Sequence, residues 1–234
     1  MFKKIEKNTS GRDFLCSDIH GCYSVLSETM AAHEFNQDRD RLFCLGDLID
    51  RGPDSQAALS WLAQPWFYSI QGNHERMLIN AMDDASNSLW NQWMYWGGDW
   101  AEDLGLEQLE LFYKAFTQLP LAVELELSNG KRIGLVHGEL PNECNWDDVL
   151  TTLKNLTPQD VEKNKLTSDM LWRKSQPYLP AYESAQVLPV RGIDHIFHGH
   201  TIVADYLTIG NRTFMDLGAY QIGEIGFIEP LKYL

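Results

Sequence analysis

Five short apolar runs, each halting at a small residue or tight turn and giving way at once to polar residues, constrain this chain more than any other feature. Phe14-Leu15-Cys16 leads into Ser17-Asp18-Ile19-His20, and Leu42-Phe43-Cys44-Leu45 into Gly46-Asp47. Trp66-Phe67-Tyr68-Ser69-Ile70 leads into Gly72-Asn73-His74-Glu75. Ile133-Gly134-Leu135-Val136 leads into His137-Gly138, and His195-Ile196-Phe197 into His198-Gly199-His200-Thr201. Short apolar runs bounded by glycine read as buried strands. Helical periodicity over residues 23–33, 55–63 and 75–82 separates several of them. Strand and helix in alternation predict an α/β fold. Such folds gather ligands at the carboxyl ends of their strands, where the polar clusters of this chain fall.

The 234 residues suffice for one domain with a large core, and 1–234 is read as a single unit. Residues 83–119 read as helical and tryptophan-rich, and residues 139–190 as polar, acidic and broken by prolines. Both are expected to be insertions near the active site, the first helical and the second loop-rich. Lys and Arg number 19 against 33 Asp and Glu, a net charge of −14. A field of that sign repels nucleic acid and anionic membrane surfaces, so neither is expected as a partner. It also opposes phosphate at long range, so a phosphate site would need cations to reverse the charge locally. Four cysteines, none in a C-x-x-C pair, argue against a disulfide framework. With no signal-peptide core and no run of transmembrane length, a cytoplasmic protein is expected.

The polar clusters carry a chemistry together that none carries alone. Asp18 and His20 are two apart, so an extended segment points both side chains the same way. Taken singly, that pair equally describes a solvated acid beside a surface histidine. Gly46-Asp47-Leu48-Ile49-Asp50-Arg51-Gly52 sets two acids and an arginine directly after a buried strand, between glycines that permit tight turns. Asn73 offers a neutral oxygen, His74 a ligand or a proton donor, and Glu75 suits the first turn of a helix. His137 and His200 each end an apolar run. Two Asp, one Asn and three His suit a pair of transition-metal ions with mixed oxygen and nitrogen donors. The lack of a cysteine ligand disfavours a closed structural zinc site. Two divalent ions, two aspartates and a bridging hydroxide leave a local charge of about +1, enough to admit phosphate into an acidic protein.

In order and spacing, Asp18-Ile19-His20-Gly21, Gly46 to Gly52, Gly72-Asn73-His74-Glu75, Val136-His137-Gly138 and Gly199-His200-Thr201 resemble the calcineurin-like phosphoprotein phosphatases, most of all the small bacterial and phage members. Pro65-Trp66-Phe67, the Trp96-Gly97-Gly98 region and Met215-Asp216-Leu217-Gly218-Ala219 extend the resemblance over effectively the whole chain. It implies two mixed β-sheets flanked by helices. It implies two divalent ions, manganese by family expectation with iron or zinc as alternatives. Asp18 and His20 would hold one ion, Asp47 would bridge, and Asn73, His137 and His200 would hold the other. His74, oriented by Asp50, would protonate the leaving oxygen, while Arg51 and Asn73 contact the phosphate. The implied reaction is hydrolysis of a phosphorylated protein, on serine, threonine or tyrosine, or of a small phosphoester, by a metal-bridging hydroxide. The family's second phosphate-binding arginine lies in a Trp-x-Arg segment. Here Leu171-Trp172-Arg173-Lys174 puts Lys174 in that register and Arg173 one residue early, and Arg173 is the favoured of the two.

Several residues are assigned quieter roles. His198 is read as a core or orienting residue. Trp90, Trp93, Trp96 and Trp100 recur at helical spacing and read as a packing face, with Gly97-Gly98 marking a break. Two other functions share these motifs. Bacterial diadenosine tetraphosphatases resemble the metal motifs but typically lack an acid at the position of Asp50 and carry Asp at that of Glu75. A non-catalytic metal- or phosphate-binding regulator would be expected to have lost ligands, and none is missing here.

Overall fold

The structure, a computed structural model, describes residues 1–234. Its strands are β1 (Phe2–Ile5), β2 (Asp13–Cys16), β3 (Arg41–Cys44), β4 (Phe67–Ser69), β5 (Ala122–Glu126), β6 (Arg132–Val136), β7 (His195–Ile202), β8 (Leu207–Ile209), β9 (Arg212–Asp216) and β10 (Phe227–Ile228). They form a four-stranded sheet in the order β10-β2-β3-β4 and a six-stranded sheet in the order β1-β5-β6-β7-β9-β8. Both are mixed: β2, β3 and β4 are parallel with β10 antiparallel, and β6, β7 and β9 are parallel, with β8 antiparallel to β9 and the parallel pair β1 and β5 antiparallel to β6.

Alternation along each strand explains why the runs are apolar throughout. Leu15, Phe43, Leu135 and Phe197 point between the sheets into one shared apolar layer with Val123, Leu125 and Ile133. Their neighbours Phe14, Cys16, Leu42 and Cys44 point outward from the smaller sheet into a helical layer. Val136 and Ile196 point outward from the larger sheet into another. A strand covered on both faces has no polar side to show. Gly134 is needed at its place because a Cβ there would meet the Trp146 ring at 2.8 Å.

The helices on the smaller sheet are α1 (Tyr23–Ala32), α2 (Ala58–Leu62), α3 (Asn73–Asp83), α4 (Ser88–Tyr95) and α5 (Leu106–Thr117). Residues 83–119 thus hold α4 and α5, with Gly97 at φ 113° after the end of α4. The larger sheet carries α6 (Trp146–Asn155) and α7 (Lys165–Trp172), so 139–190 is less loop-like than its composition suggested. Asn145 and Asn164 start these helices by accepting backbone N–H bonds from Asp147 and from Leu166 and Thr167. The prolines of this segment all fall outside α6 and α7. No helix is long and apolar enough to cross a membrane.

Candidate metal centre

Every candidate ligand lies at or near the carboxyl end of a strand. Asp18 and His20 follow β2, Asp47 and Asp50 follow β3, Asn73 and His74 open α3 after β4, His137 follows β6, and His200 lies in β7. Donor atoms of His20, Asp47 and His74 lie within 4.8 Å of one another, as do those of Asp47, His137 and His200. Asp47 is common to both groups. Asn73 Oδ1 stands 2.8 Å from His137 Nε2. The Asp18 carboxylate faces the backbone N–H of His200 at 3.0 Å. The strand-end turns are strained to do this. Of seven non-glycine residues with positive φ, five are His20, Asp47, Asp50, Arg51 and His200. Each such residue costs about 1–3 kcal/mol, and such outliers gather where function demands them.

The buried glutamate Glu75 braces two of the turns. Its carboxylate accepts N–H bonds from Asp47, Leu48 and Gly72 at 2.9, 2.7 and 2.8 Å. The sequence suggested only a first-turn role in α3. The turns that it joins are far apart along the chain, and no local pattern announces the link.

Whether these residues fit cations follows from their hydrogen bonds. His20 Nδ1 donates to the Ile49 carbonyl at 2.9 Å, His137 Nδ1 to that of Leu45 at 2.8 Å, and His200 Nε2 to that of Trp172 at 3.1 Å. Each ring keeps its other nitrogen as an acceptor, as metal-binding histidines do when a carbonyl fixes the tautomer, and that of His20 accepts from Arg51 Nη1 at 3.1 Å. Burial, then the neighbouring His74, lowers the His20 pKa to about 3; burial, then His137, lowers that of His200 to about 3. Burial lowers His137 as well. Neutral imidazole is the ligating form. With Nδ1 occupied as donor, His137 Nε2 meets Asn73 Oδ1 as one acceptor facing another. Burial, followed by Asp216 and Asp47, raises the Asp18 pKa well above the carboxylate range. Burial pushes Asp216 up to about 7, with Asp47 adding to it. Converging lone pairs and crowded buried carboxylates are unfavourable until positive charge enters. The residues fit divalent cations.

Beside the ligands, His74 Nδ1 lies 2.6 Å from Asp50 Oδ2, while His74 Nε2 is buried without a partner, 3.9 Å from Asp47 Oδ2. Arg51 Nη1 reaches His20 Nε2 at 3.1 Å, and its guanidinium stacks 4.9 Å over the Tyr220 ring. The structure separates Arg173 from Lys174. Arg173, favoured from the sequence, pairs with buried Glu139 at 3.1 Å and lies 3.6 Å from Asp169. Lys174 has no such ion pair. The difference is tertiary: Glu139, 34 positions earlier, draws the arginine to itself.

The tryptophan stripe also divides. Trp93 and Trp100 donate their indole N–H groups to Asp50, at 2.8 and 2.6 Å, while Trp96 is exposed. Gly97 touches the site too, its carbonyl accepting the Arg51 N–H at 3.3 Å. The seven-residue spacing of Trp93 and Trp100 was legible, but the acid to which they point was not.

The chain's likeness to known proteins agrees with this geometry. Residues 14–204 match the model of the calcineurin-like phosphoesterases. Serine/threonine-protein phosphatase 2 of Salmonella typhimurium is 30% identical over 92% of this chain and 91% of its own length. Its Escherichia coli counterpart of the same name is 28% identical over 97% of both. Among solved structures, a putative diadenosine tetraphosphatase superposes with a TM-score of 0.60 at 21% identity, over 96% of this chain and 91% of that one. With its ligand-bearing strand ends converging on Asp47 and the family model spanning β2 to β7, the chain belongs to the calcineurin-like phosphoesterase family and is a hydrolase of phosphoesters.

Proposed function

We propose that the chain is a metal-dependent phosphoprotein phosphatase acting on phosphoserine and phosphothreonine, with phosphotyrosine within reach of the same chemistry. The observation that carries this reading is the buried His74–Asp50 pair with its unpartnered Nε2 beside Asp47. A serine or threonine alkoxide is a poor leaving group and needs a proton. A nucleoside phosphate leaves with far less help. A dedicated acid therefore favours alkyl phosphomonoesters over dinucleoside polyphosphates, which remain the second reading because of the tetraphosphatase-like fold neighbour.

In this reading Asp18 and His20 hold one divalent ion, Asn73, His137 and His200 the other, and Asp47 both. Manganese suits the mixed oxygen and nitrogen donors. When bound, the two ions supply an acidified water and positive charge for the phosphate oxygens. The protein does the rest. Arg51, planar and braced by Tyr220, matches two phosphate oxygens at once. Asn73 contributes its amide at the phosphate, and Lys174 a point charge from the His200 side. His74 holds its donated proton toward the leaving oxygen while Asp50 fixes the opposite ring nitrogen. Residues 1–234 act as one unit, with its free cysteines in keeping with the cytoplasm.

The test is a hydrolysis panel on manganese-reconstituted protein, comparing phosphopeptides, a phosphodiester and diadenosine tetraphosphate. Phosphopeptides should turn over fastest. Fastest turnover of the dinucleotide would overturn the assignment.

A further inference from the structure

Asp50 is completely buried, and its carboxylate accepts three side-chain hydrogen bonds. His74 Nδ1 and Trp93 Nε1 share Oδ2, at 2.6 and 2.8 Å, and Trp100 Nε1 takes Oδ1 at 2.6 Å. A carboxylate gripped on both oxygens by rigid rings cannot turn about its Cβ–Cγ bond. The indoles are themselves immobilised. They cross at 83° with centroids 6.1 Å apart, Trp90 packs edge-on to Trp93 at 5.3 Å, and Phe112 packs on Trp100 at 5.1 Å. Gly98 lets the chain close over the Trp93 ring, which a Cβ would meet at 2.6 Å. The indole N–H is a donor only. The carboxylate is thus left a single role toward His74, accepting from Nδ1–H, which keeps the proton-carrying tautomer and ring plane fixed.

We propose that Trp93 and Trp100 are positioning residues for proton donation: through Asp50 they hold the His74 ring so that Nε2 faces the leaving oxygen. This rests on the reading of His74 as the acid. It makes the α4 segment part of the catalytic apparatus, tuned to substrates whose leaving group needs a proton. A packing role alone would require the aromatic rings but not their N–H groups.

Trp100→Phe and Trp93→Phe keep a ring and remove the donor. In Trp100→Phe, which is the less buried site, kcat on a phosphoserine peptide should fall about tenfold, with KM little changed, and turnover of p-nitrophenyl phosphate by less than about threefold. Trp93→Phe should repeat the pattern. Added to His74→Asn, Trp100→Phe should cost nothing more, since partners acting through one group are not additive. In metal-free protein the His74 Nδ1–H proton resonance should shift or broaden in Trp100→Phe while backbone amide signals away from Asp50 stay put. Equal losses on both substrates, additive losses in the double variant, or an unmoved His74 resonance would each overturn the proposal. If His74→Asn itself slowed both substrates equally, the acid assignment would fall, and the resonance in metal-free protein would then decide by itself whether the indoles position His74.

Discussion

Two segments flank the candidate metal centre and differ in how they are pinned beside it. Residues 83–119 enter as amphipathic helices whose Trp93, Leu109, Phe112 and Phe116 join the core beside the smaller sheet. Residues 139–190 likewise pack Trp146, Val149, Leu150 and Leu153 beside the larger sheet, and add fastening by buried charged groups. Fully buried Arg212 donates to the carbonyls of Leu140, Pro141, Asn142 and Leu188. Glu139 accepts from Ser175 and from the Gln176 backbone. The first segment reaches the proposed acid through Asp50, and touches Arg51; the second reaches the candidate ligand His200 through the Trp172 carbonyl. On the proposed roles, proton donation would depend on the apolar packing of its segment, whereas the phosphate-side cation would depend also on buried polar anchors.

The sharpest break of this comparison is at the acid. His74→Asn should lower turnover of alkyl phosphates about 10²–10⁴-fold and spare p-nitrophenyl phosphate by comparison, while calorimetry still registers two manganese ions. Loss of metal binding would make His74 a ligand instead. Next come the two anchors. Phe112→Ala should cost about 3–5 kcal/mol of global stability in urea unfolding. Arg212→Met, which leaves buried carbonyls without their charged donor, should cost about 3 kcal/mol. It should expose residues 139–190 to proteolysis before the rest of the chain unfolds. If both variants melted as one cooperative unit with no early cleavage, the two segments would not differ in the way described. A smaller effect is expected within the loop: Lys174→Ala should raise KM for phosphopeptides about tenfold, whereas Arg173→Ala should change mainly stability. The reverse result would restore the sequence-favoured arginine.

The smallest effect is a pH dependence of the metal-free protein. Burial lowers the pKa of His137, and lowers those of His20, His198 and His200 to about 3 and that of His195 to about 4. The folded chain keeps them neutral while the unfolded chain protonates them below about 6.5, so their contribution, present above that pH, is lost as pH falls. Asp18, Glu75 and Asp216 are raised and act in the opposite sense. Five groups against three leave a net loss of stability on acidification below about 6.5. Urea midpoints at pH 6.5 and 5.5 measure it, and a higher midpoint at pH 5.5 would reverse the sign.

The strand ends were legible because burial on both faces writes a continuous apolar run, and a polar residue directly after such a run must point into the sheet-edge crevice. Asp18, His20, Asp47, Asn73, His137 and His200 all stood out in that way. The helices of 139–190 were hidden by acid and proline content, although Asn145 and Asn164 cap them in the ordinary manner. Arg212 and Glu139 were invisible, since a charged side chain in a sequence carries no mark of whether it will be buried.

What the sequence determined by itself, then, was the α/β alternation, the set of strand-end donors and the chemistry they suit, because those depend on local period and residue type. Only the tertiary structure decided which partner each donor meets. It placed Glu75 across the turns that follow β3 and β4, drew Arg173 but not Lys174 to Glu139, and turned two indoles of an apparent packing stripe onto Asp50. Hydrogen bonds and ion pairs between distant segments have no periodicity, so nothing in the order of residues can announce them before the chain has folded.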